Sequence, residues 1–318
     1  MKRNMIPSLL FVLLIAASGL ITAPSAVTAG TVPLVSTGWL EQHLGAPDTV
    51  IIDVRTEANY NFGHLPGAVS LAYASLKPFN PVKQCQLTLP PEEVTRMMRA
   101  LGVNESTHVI IYDQGNTALD ATEGCAAVWI LESMGHENVS YLDGGFTKWT
   151  FEGRLIDNKK PAPQPGNFTA KPDTTKVATL DDVIANLKTT EAIFLDDRSS
   201  VQHFGISKRA DVVRYGHIPD SLNFPADFMT NAGINRAPAT IKSREELAAM
   251  AQGVGLPKDR NRKIIVYCNS AQQAGMGYFV LHDIMGYRNV KTYDGSMLEY
   301  AQVIRLPLVK FAWGFVTK

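Results

Sequence analysis

The chain has 318 residues, 30 basic against 30 acidic, three cysteines, and 45% hydrophobic with 19% charged residues. Zero net charge argues against a nucleic-acid partner, which demands a basic surplus. The apolar content excludes intrinsic disorder, and so few cysteines exclude a disulfide-stapled miniprotein. At roughly 100–200 residues per domain, the length suggests two domains.

Met1-Lys2-Arg3-Asn4 is a short basic start, followed by an uncharged apolar run over residues 6–17. Small residues follow, and Val27 and Ala29 fit the small-residue rule for a cleavage site. Residues 1–29 are therefore expected to be an export signal, cleaved after Ala29. The competing reading is a retained anchor, because the apolar region extends past Leu20. Pro24 and the small-residue tail favour cleavage. The mature protein is expected to be exported, periplasmic or extracellular, without membrane contact after cleavage.

Residues 50–54 form a short β-branched run, as in a buried parallel strand. A Gly63-His64-Leu65-Pro66-Gly67-Ala68 turn comes next. Residues 91–101 predict a helix with Val94, Met97, Met98 and Leu101 on one face. A second strand is expected at 109–112, ending on Asp113. The stretch 114–124 reads as a long loop that covers part of an interdomain cleft. Lys159-Lys160-Pro161-Ala162-Pro163-Gln164-Pro165 then carries three prolines, which remove backbone donors and disfavour helix in the residues before them, and predicts an extended linker.

Beyond the linker the pattern repeats. Ile51-Ile52-Asp53-Val54-Arg55 returns as Phe194-Leu195-Asp196-Asp197-Arg198, and the Gly63-His64 turn as Gly216-His217-Ile218-Pro219. Val109-Ile110-Ile111-Tyr112-Asp113 returns as Ile264-Ile265-Val266-Tyr267-Cys268, and Leu142-Asp143-Gly144-Gly145 as Tyr293-Asp294-Gly295-Ser296. The second copy carries an insertion at 205–213. Ser243 with Glu246 makes a capping box for a helix over 243–252. Strands at 193–196 and 263–267 complete an α/β alternation, which implies an open parallel sheet flanked by helices in each copy. The expected organisation is 1–29 signal, 30–158 first domain, 159–171 linker and 172–318 second domain.

Cys268 ends the strand 263–267 and precedes a tight loop and a helix predicted over 275–283. Open α/β sheets bind ligands at the carboxyl ends of their strands. Loop amides and a helix N-terminus there favour an anion, raise the thiolate fraction of a cysteine and would stabilise a negatively charged sulfur adduct.

At these positions the sequence resembles the rhodanese-like sulfurtransferases in their tandem two-domain form. The Asp-x-Arg motifs, the Gly-His-Leu/Ile-Pro turns, Leu142-Asp143-Gly144-Gly145-Phe146 with Trp149, and a six-residue loop starting at Cys268 carry the resemblance. It implies two tandem domains, the first non-catalytic with Asp113 at the cysteine position. It also implies a Cys268 persulfide, formed from thiosulfate or a related small-molecule donor and passed to a thiol or to cyanide. The substrate-binding residues expected are Asn269, Ser270, Ala271, Gln272, Gln273 and Ala274 of the loop, with Arg198 and Arg214 beside them. Arg198 has an alternative role, pairing with Asp196 or a carbonyl to fix the strand end. The loop is polar and uncharged, where basic residues or a Gly-Ser-Gly-Val-Thr run are usual in the family, which leaves a sulfur carrier or protein-binding module as the alternative function. The second copy's Met297-Leu298-Glu299-Tyr300 ending lacks the family's usual tryptophan.

A cysteine phosphatase is excluded, because the residue six after Cys268 is Ala274 and the phosphate-clamping arginine is absent. His64 and His217 recur in both copies and are expected to fix turns. No His or Cys spacing suggests a metal, and no cofactor is expected. Cys85 and Cys125 could form a disulfide outside the cytoplasm if their Cα atoms come within bonding range.

Overall fold

The computed structural model describes residues 32–231 and 237–314, so the expected export signal lies outside the described residues. In the first copy the elements follow as β1 (Leu34–Val35), α1 (Thr37–Gln42), β2 (Thr49–Asp53), α2 (Glu57–Phe62), β3 (Val69–Ser70) and α3 (Tyr73–Leu76). Then come β4 (Phe79–Asn80), β5 (Cys85–Gln86), α4 (Pro91–Ala100), β6 (His108–Tyr112), α5 (Ala118–Ser133), β7 (Val139–Leu142) and α6 (Gly145–Phe151). The second copy runs β8 (Val177–Ala178), α7 (Leu180–Asn186), β9 (Ala192–Asp196), α8 (Ser200–His203), β10 (Leu222–Asn223), β11 (Thr230–Asn231) and β12 (Thr240–Ile241). It ends with α9 (Arg244–Gly253), β13 (Lys263–Tyr267), α10 (Gln272–Tyr278), a π-helical turn (Phe279–Ile284), β14 (Val290–Tyr293) and α11 (Ser296–Tyr300).

Each copy builds one five-stranded parallel sheet, ordered β1-β7-β6-β2-β3 in the first and β8-β14-β13-β9-β10 in the second. The central pairs run in full register, from Thr49↔His108 to Asp53↔Tyr112 and from Ala192↔Lys263 to Asp196↔Tyr267. These strands are β-branched on both faces because helices cover both faces. The last residues of β2, β6, β9 and β13 are fully buried, so the ends of the sheets are enclosed.

Two sequence expectations shift. The expected loop 114–124 is loop only over 114–117, because Thr117 and Asp120 form a reciprocal capping box that starts α5 at Ala118. The helix after Cys268 starts at Gln272 instead of 275, because Ala271 adopts a left-handed conformation (φ 66°) that ends the loop early. The helix over 243–252 forms as α9, with Ser243 as its cap.

Helices α5 and α10 join the two sheets into one core. A Cβ on Gly275 would stand 2.6 Å from the Ala126 Cα and Cβ, so the helices touch at backbone distance. Tyr278 donates to the Glu132 carboxylate (2.9 Å), and Gln272 donates to Thr122 Oγ1 (2.9 Å). Each copy also reaches into the other. The β4–β5 segment carries Cys85 into an apolar cluster of the second copy, and Thr88 donates to Asp294 through its amide and hydroxyl, both at 3.0 Å. Reciprocally, the Ile241 amide donates to Asp143 Oδ1 (2.8 Å), and the Ala239 amide to the Gly115 carbonyl (2.8 Å). The segment 158–172 has neither helix nor strand, yet it is pinned to the first copy. Gly166 N–H donates to the Arg99 carbonyl, and Phe168, 1% exposed, packs into the core. Among the described residues no helix is long and apolar enough to cross a membrane.

Candidate active site

Strand β13 places Cys268 one residue beyond its last in-register pair, at the carboxyl end of the central strand and 1% exposed. The chain then turns through Asn269, Ser270 and left-handed Ala271 into α10. An α-helix leaves its first amides without intrahelical acceptors. Here the first intrahelical bond runs from the Gly275 amide to the Ala271 carbonyl (2.8 Å), so the amides of Gln272, Gln273 and Ala274 are those unshared donors.

The rest of the loop is strapped by the start of α11. Ser296 Oγ accepts from the amides of Cys268 (3.2 Å) and Ala271 (3.1 Å), and donates to the Tyr293 carbonyl (2.8 Å). The Met297 and Leu298 amides donate to the carbonyls of Cys268 and Asn269, both at 3.0 Å. Ala271, expected among the binding amides, therefore spends its N–H on Ser296 instead. Ser296 itself holds φ 48°, a left-handed value that costs a serine about 1–2 kcal/mol. The first copy has Gly145 (φ 54°) at that place, and the sequence alignment pairs the two residues. The change from glycine to serine was the one signal in the sequence for this strap.

Asn269, Ser270 and Gln272 of the loop have side-chain partners in the surrounding shell. Asn269 Nδ2 donates to Gln202 Oε1 (2.9 Å), while its Oδ1 is buried without a partner. Arg209 Nη1 donates to Ser270 Oγ (3.1 Å) and its guanidinium also grips Asp211. Gln273 is partly exposed on the first turn of α10, and Ala274 is buried. Arg209 is the cation the loop itself lacks. It lies in the insertion 205–213, and sequence reasoning noted the insertion without reading its arginine.

The two arginines expected to bind substrate are committed elsewhere. Arg198, 0% exposed, donates through Nε and Nη2 to Asp196 (2.9 and 2.6 Å) and through Nη2 to the Gly216 carbonyl (2.9 Å). Arg55 of the first copy binds Asp53 and the Gly63 carbonyl in the same way, which marks a scaffold role shared by both copies. Burial alone would push the Asp196 carboxyl up, yet Arg198 and His203 hold it well below the usual carboxylate range. Arg214 spends its guanidinium on the carbonyls of Tyr300, Ala301, Val303 and Leu306, closing the chain after α11. Of the expected charges, neither hydrogen-bonds the loop, but Arg198 keeps Nη1 buried without a partner and lies within electrostatic range of Cys268.

In the first copy Asp113 occupies the cysteine position. It is fully buried, with Oδ2 accepting from the Gly124 amide (3.2 Å) and Oδ1 without a partner. Burial pushes its carboxyl well up, against a lowering contribution from Tyr141. His64 and His217 both hydrogen-bond backbone carbonyls, at Tyr60 (3.0 Å) and His203 (2.7 Å), and burial pushes His217 down to about 4. Cys85 and Cys125 are free, buried in separate apolar clusters. Among the described residues Glu132, His282 and Asp283 bring ligand-capable atoms within 4.8 Å of one another. Lys176 stands 3.8 Å from Glu132, and Tyr278 donates to it, so the group's charge is already balanced by protein side chains.

The fold has known counterparts. A family profile described as "Rhodanese-like domain" matches residues 36–152 and again 179–302. The sulfur carrier protein TtuD of Thermus thermophilus is 31% identical over 288 residues, spanning 87% of this chain and 96% of that protein. A putative thiosulfate sulfurtransferase of Mycolicibacterium smegmatis is 32% identical, over 86% and 96% of the respective chains. The crystal structure of SseA from Escherichia coli, described among 3-mercaptopyruvate sulfotransferases, superposes with a TM-score of 0.71 at 30% identity. It spans 84% of this chain and 99% of that one. The chain belongs to the rhodanese-like sulfurtransferases, as a tandem-domain member.

Proposed function

We propose that this protein transfers sulfane sulfur through Cys268. The Cys268 thiolate attacks the outer sulfur of thiosulfate or a related donor, giving a Cys268 persulfide and releasing sulfite in the case of thiosulfate. A thiophilic acceptor, cyanide or a thiol, then attacks the outer persulfide sulfur and restores the thiolate. Splitting one transfer into two displacements is covalent catalysis. The observation that carries this reading is the seat of Cys268 at the end of β13, in the short loop that leads into the unshared amides of Gln272, Gln273 and Ala274. Fixed N–H donors stabilise an anionic sulfur without reorganising. Arg209, bonded to Ser270, supplies the positive charge for an anionic donor.

A second reading has a specific observation behind it. The relative from Thermus thermophilus is named a sulfur carrier, and this loop is uncharged. A carrier would accept sulfur on Cys268 and hand it to a protein acceptor, with little turnover to cyanide.

The deciding experiment compares wild type with Cys268→Ser for transfer from thiosulfate and from mercaptopyruvate to cyanide. Intact mass is recorded after donor exposure. Loss of turnover in the variant, with a one-sulfur mass gain on wild type, is the expected result. Mass gain without turnover selects the carrier, and activity surviving in Cys268→Ser sinks both readings. Export is proposed from residues 1–29, and an exported form that begins at Gly30 by intact mass would support it. Retention of Met1 in that form would refute cleavage.

A further inference from the structure

The repeat alignment contains one exchange that the sulfur-transfer reading leaves unused. Val54 of the first copy corresponds to Asp197 of the second, as Asp113 corresponds to Cys268. The Asp197 amide donates to the Tyr267 carbonyl (2.9 Å), as the Val54 amide does to Tyr112 (3.0 Å). Asp197 and Cys268 each lie one step beyond the in-register pair Asp196↔Tyr267, so they are neighbours across adjacent parallel strands. Side chains alternate along a strand. Both therefore face away from the Asp196–Arg198–His203 group and toward α10. A Cβ on Gly277 of α10 would stand 2.0 Å from Asp197 Oδ2, which places the carboxyl directly against the helix that follows the Cys268 loop. Asp197 is 0% exposed, and neither of its oxygens has a hydrogen-bond partner.

An unpartnered buried carboxylate costs several kcal/mol, and such a group stays neutral. A neutral carboxyl still needs an acceptor for its O–H. We propose that Asp197 is a positioning residue for Cys268, its carboxyl O–H donating a hydrogen bond to the anionic sulfur that turnover leaves there. The inference rests on the reading of Cys268 as the sulfur carrier. Burial, then Cys268, then Asp196 push the Asp197 carboxyl well above its ordinary value, which agrees with a proton retained at neutral pH.

The steps balance without moving that proton. Thiolate plus thiosulfate gives the persulfide anion plus sulfite, and persulfide anion plus cyanide gives thiolate plus thiocyanate. Asp197 stays protonated throughout, and its hydrogen bond passes from the thiolate to the persulfide and back. Ionisation of Asp197 at alkaline pH would set two anions side by side and slow transfer.

The other charges around the pair are identifiable. Asp196, on the same strand, pairs with Arg198 and hydrogen-bonds His203, and the Arg198 guanidinium also lies within electrostatic range of Cys268. Helix α10 presents Gly277 to the carboxyl. From the first copy the Tyr73 hydroxyl, buried and unpartnered, lies within electrostatic range of Cys268, Asp294, Glu123 and Arg209. Burial and Asp120 push Glu123 up to about 7, so it titrates in the same experiment and is kept constant in every variant.

The test reads Cys268 without any sulfur donor. Alkylation of Cys268 by iodoacetamide is followed by peptide mass against pH, in the full-length protein, for wild type, Asp197→Asn and Asp197→Val. Asparagine keeps an N–H donor and should hold the alkylation midpoint within a few tenths of a pH unit. Valine, the first copy's residue, should raise it by about one unit. A valine variant that titrates like wild type overturns the proposal. So does a downward shift in both variants, which would mean that Asp197 is ionised and repels the thiolate. If the valine variant does not fold, the asparagine variant decides through its transfer profile. Wild type should lose activity on an alkaline limb that Asp197→Asn lacks, and an unchanged limb refutes the inference. Alkylation succeeds or fails independently of turnover, so it separates this proposal from the Cys268→Ser test of sulfur transfer.

Discussion

The two copies share one scaffold, and three of their differences fall just beyond the ends of the strands. Where the first has Val54, Asp113 and Gly145, the second has Asp197, Cys268 and Ser296. Everything that shapes the sheet is duplicated: the in-register central strands, the Asp–Arg pairs at Asp53–Arg55 and Asp196–Arg198, and the histidine turns. The comparison teaches that a residue repeated in the copy without a cysteine belongs to the scaffold. By that criterion the Asp196–Arg198 pair belongs to the scaffold. Arg209, from the insertion that only the second copy has, bonds the loop at Ser270.

The comparison breaks most sharply if chemistry can be moved between copies. Asp113→Cys should form no persulfide on residue 113 after thiosulfate exposure, by peptide mass. At that loop Gly145 offers no hydroxyl to strap the amides, and a Cβ on Gly115 would already stand 2.2 Å from the Gly144 carbonyl oxygen. A persulfide there would mean that the strap is dispensable. The second largest effect is expected at the junction of the copies. Gly275→Val would place a side chain 2.6 Å from Ala126, and overpacking of this kind costs about 1–3 kcal/mol. Urea denaturation should show that loss, and unchanged stability would mean that the helices can separate freely.

Within the second copy, Arg209→Ala should lower kcat/KM for thiosulfate about 10- to 100-fold, roughly 1.4–2.8 kcal/mol. A neutral acceptor should react with the preformed persulfide at nearly the wild-type rate. Equal loss in both half-reactions would make Arg209 a loop support with no role in donor binding. Ser296→Gly makes the second copy resemble the first. It relieves the left-handed backbone yet removes the shared acceptor of two loop amides, so transfer should fall about tenfold while the fold survives. Activity equal to wild type would dismiss the strap.

The smallest effect belongs to Asp113. Its carboxyl is pushed up by burial, so the unfolded chain ionises at lower pH than the folded one. Stability from this group is therefore highest below about pH 4 and falls as pH rises toward the folded value. Asp113→Asn removes that loss. Its Tm should match wild type near pH 4 and exceed it by at least about 2 °C at pH 8. A constant difference across pH would place the effect in packing.

Much of this was legible in the chain. The duplication, the parallel α/β class and the position of Cys268 follow from hydrophobic runs and repeated turn motifs, because these are local and periodic. The strap at Ser296 was half legible, as an unexplained glycine-to-serine change. Its partners lie 25 and 28 residues earlier in the chain, and only the fold brings them together. Arg209 reaches Ser270 across 61 residues, and no local pattern encodes such a contact. The start of α5 was misjudged because Thr117 and Asp120 were read as loop residues, although their spacing permits a cap.

The sequence alone determined the tandem organisation, the scaffold of each copy and the seat of Cys268 at the end of β13, since strand ends and turns are set by short stretches of chain. The tertiary structure decided which charges lie around that cysteine. Arginine reach and carboxyl burial depend on how the sheets, the α5–α10 contact and the exchanged hairpins close around the loop. That closure committed Arg198 to Asp196 and Arg214 to backbone carbonyls, and set Arg209 on Ser270, Ser296 on the loop amides and Asp197 against α10.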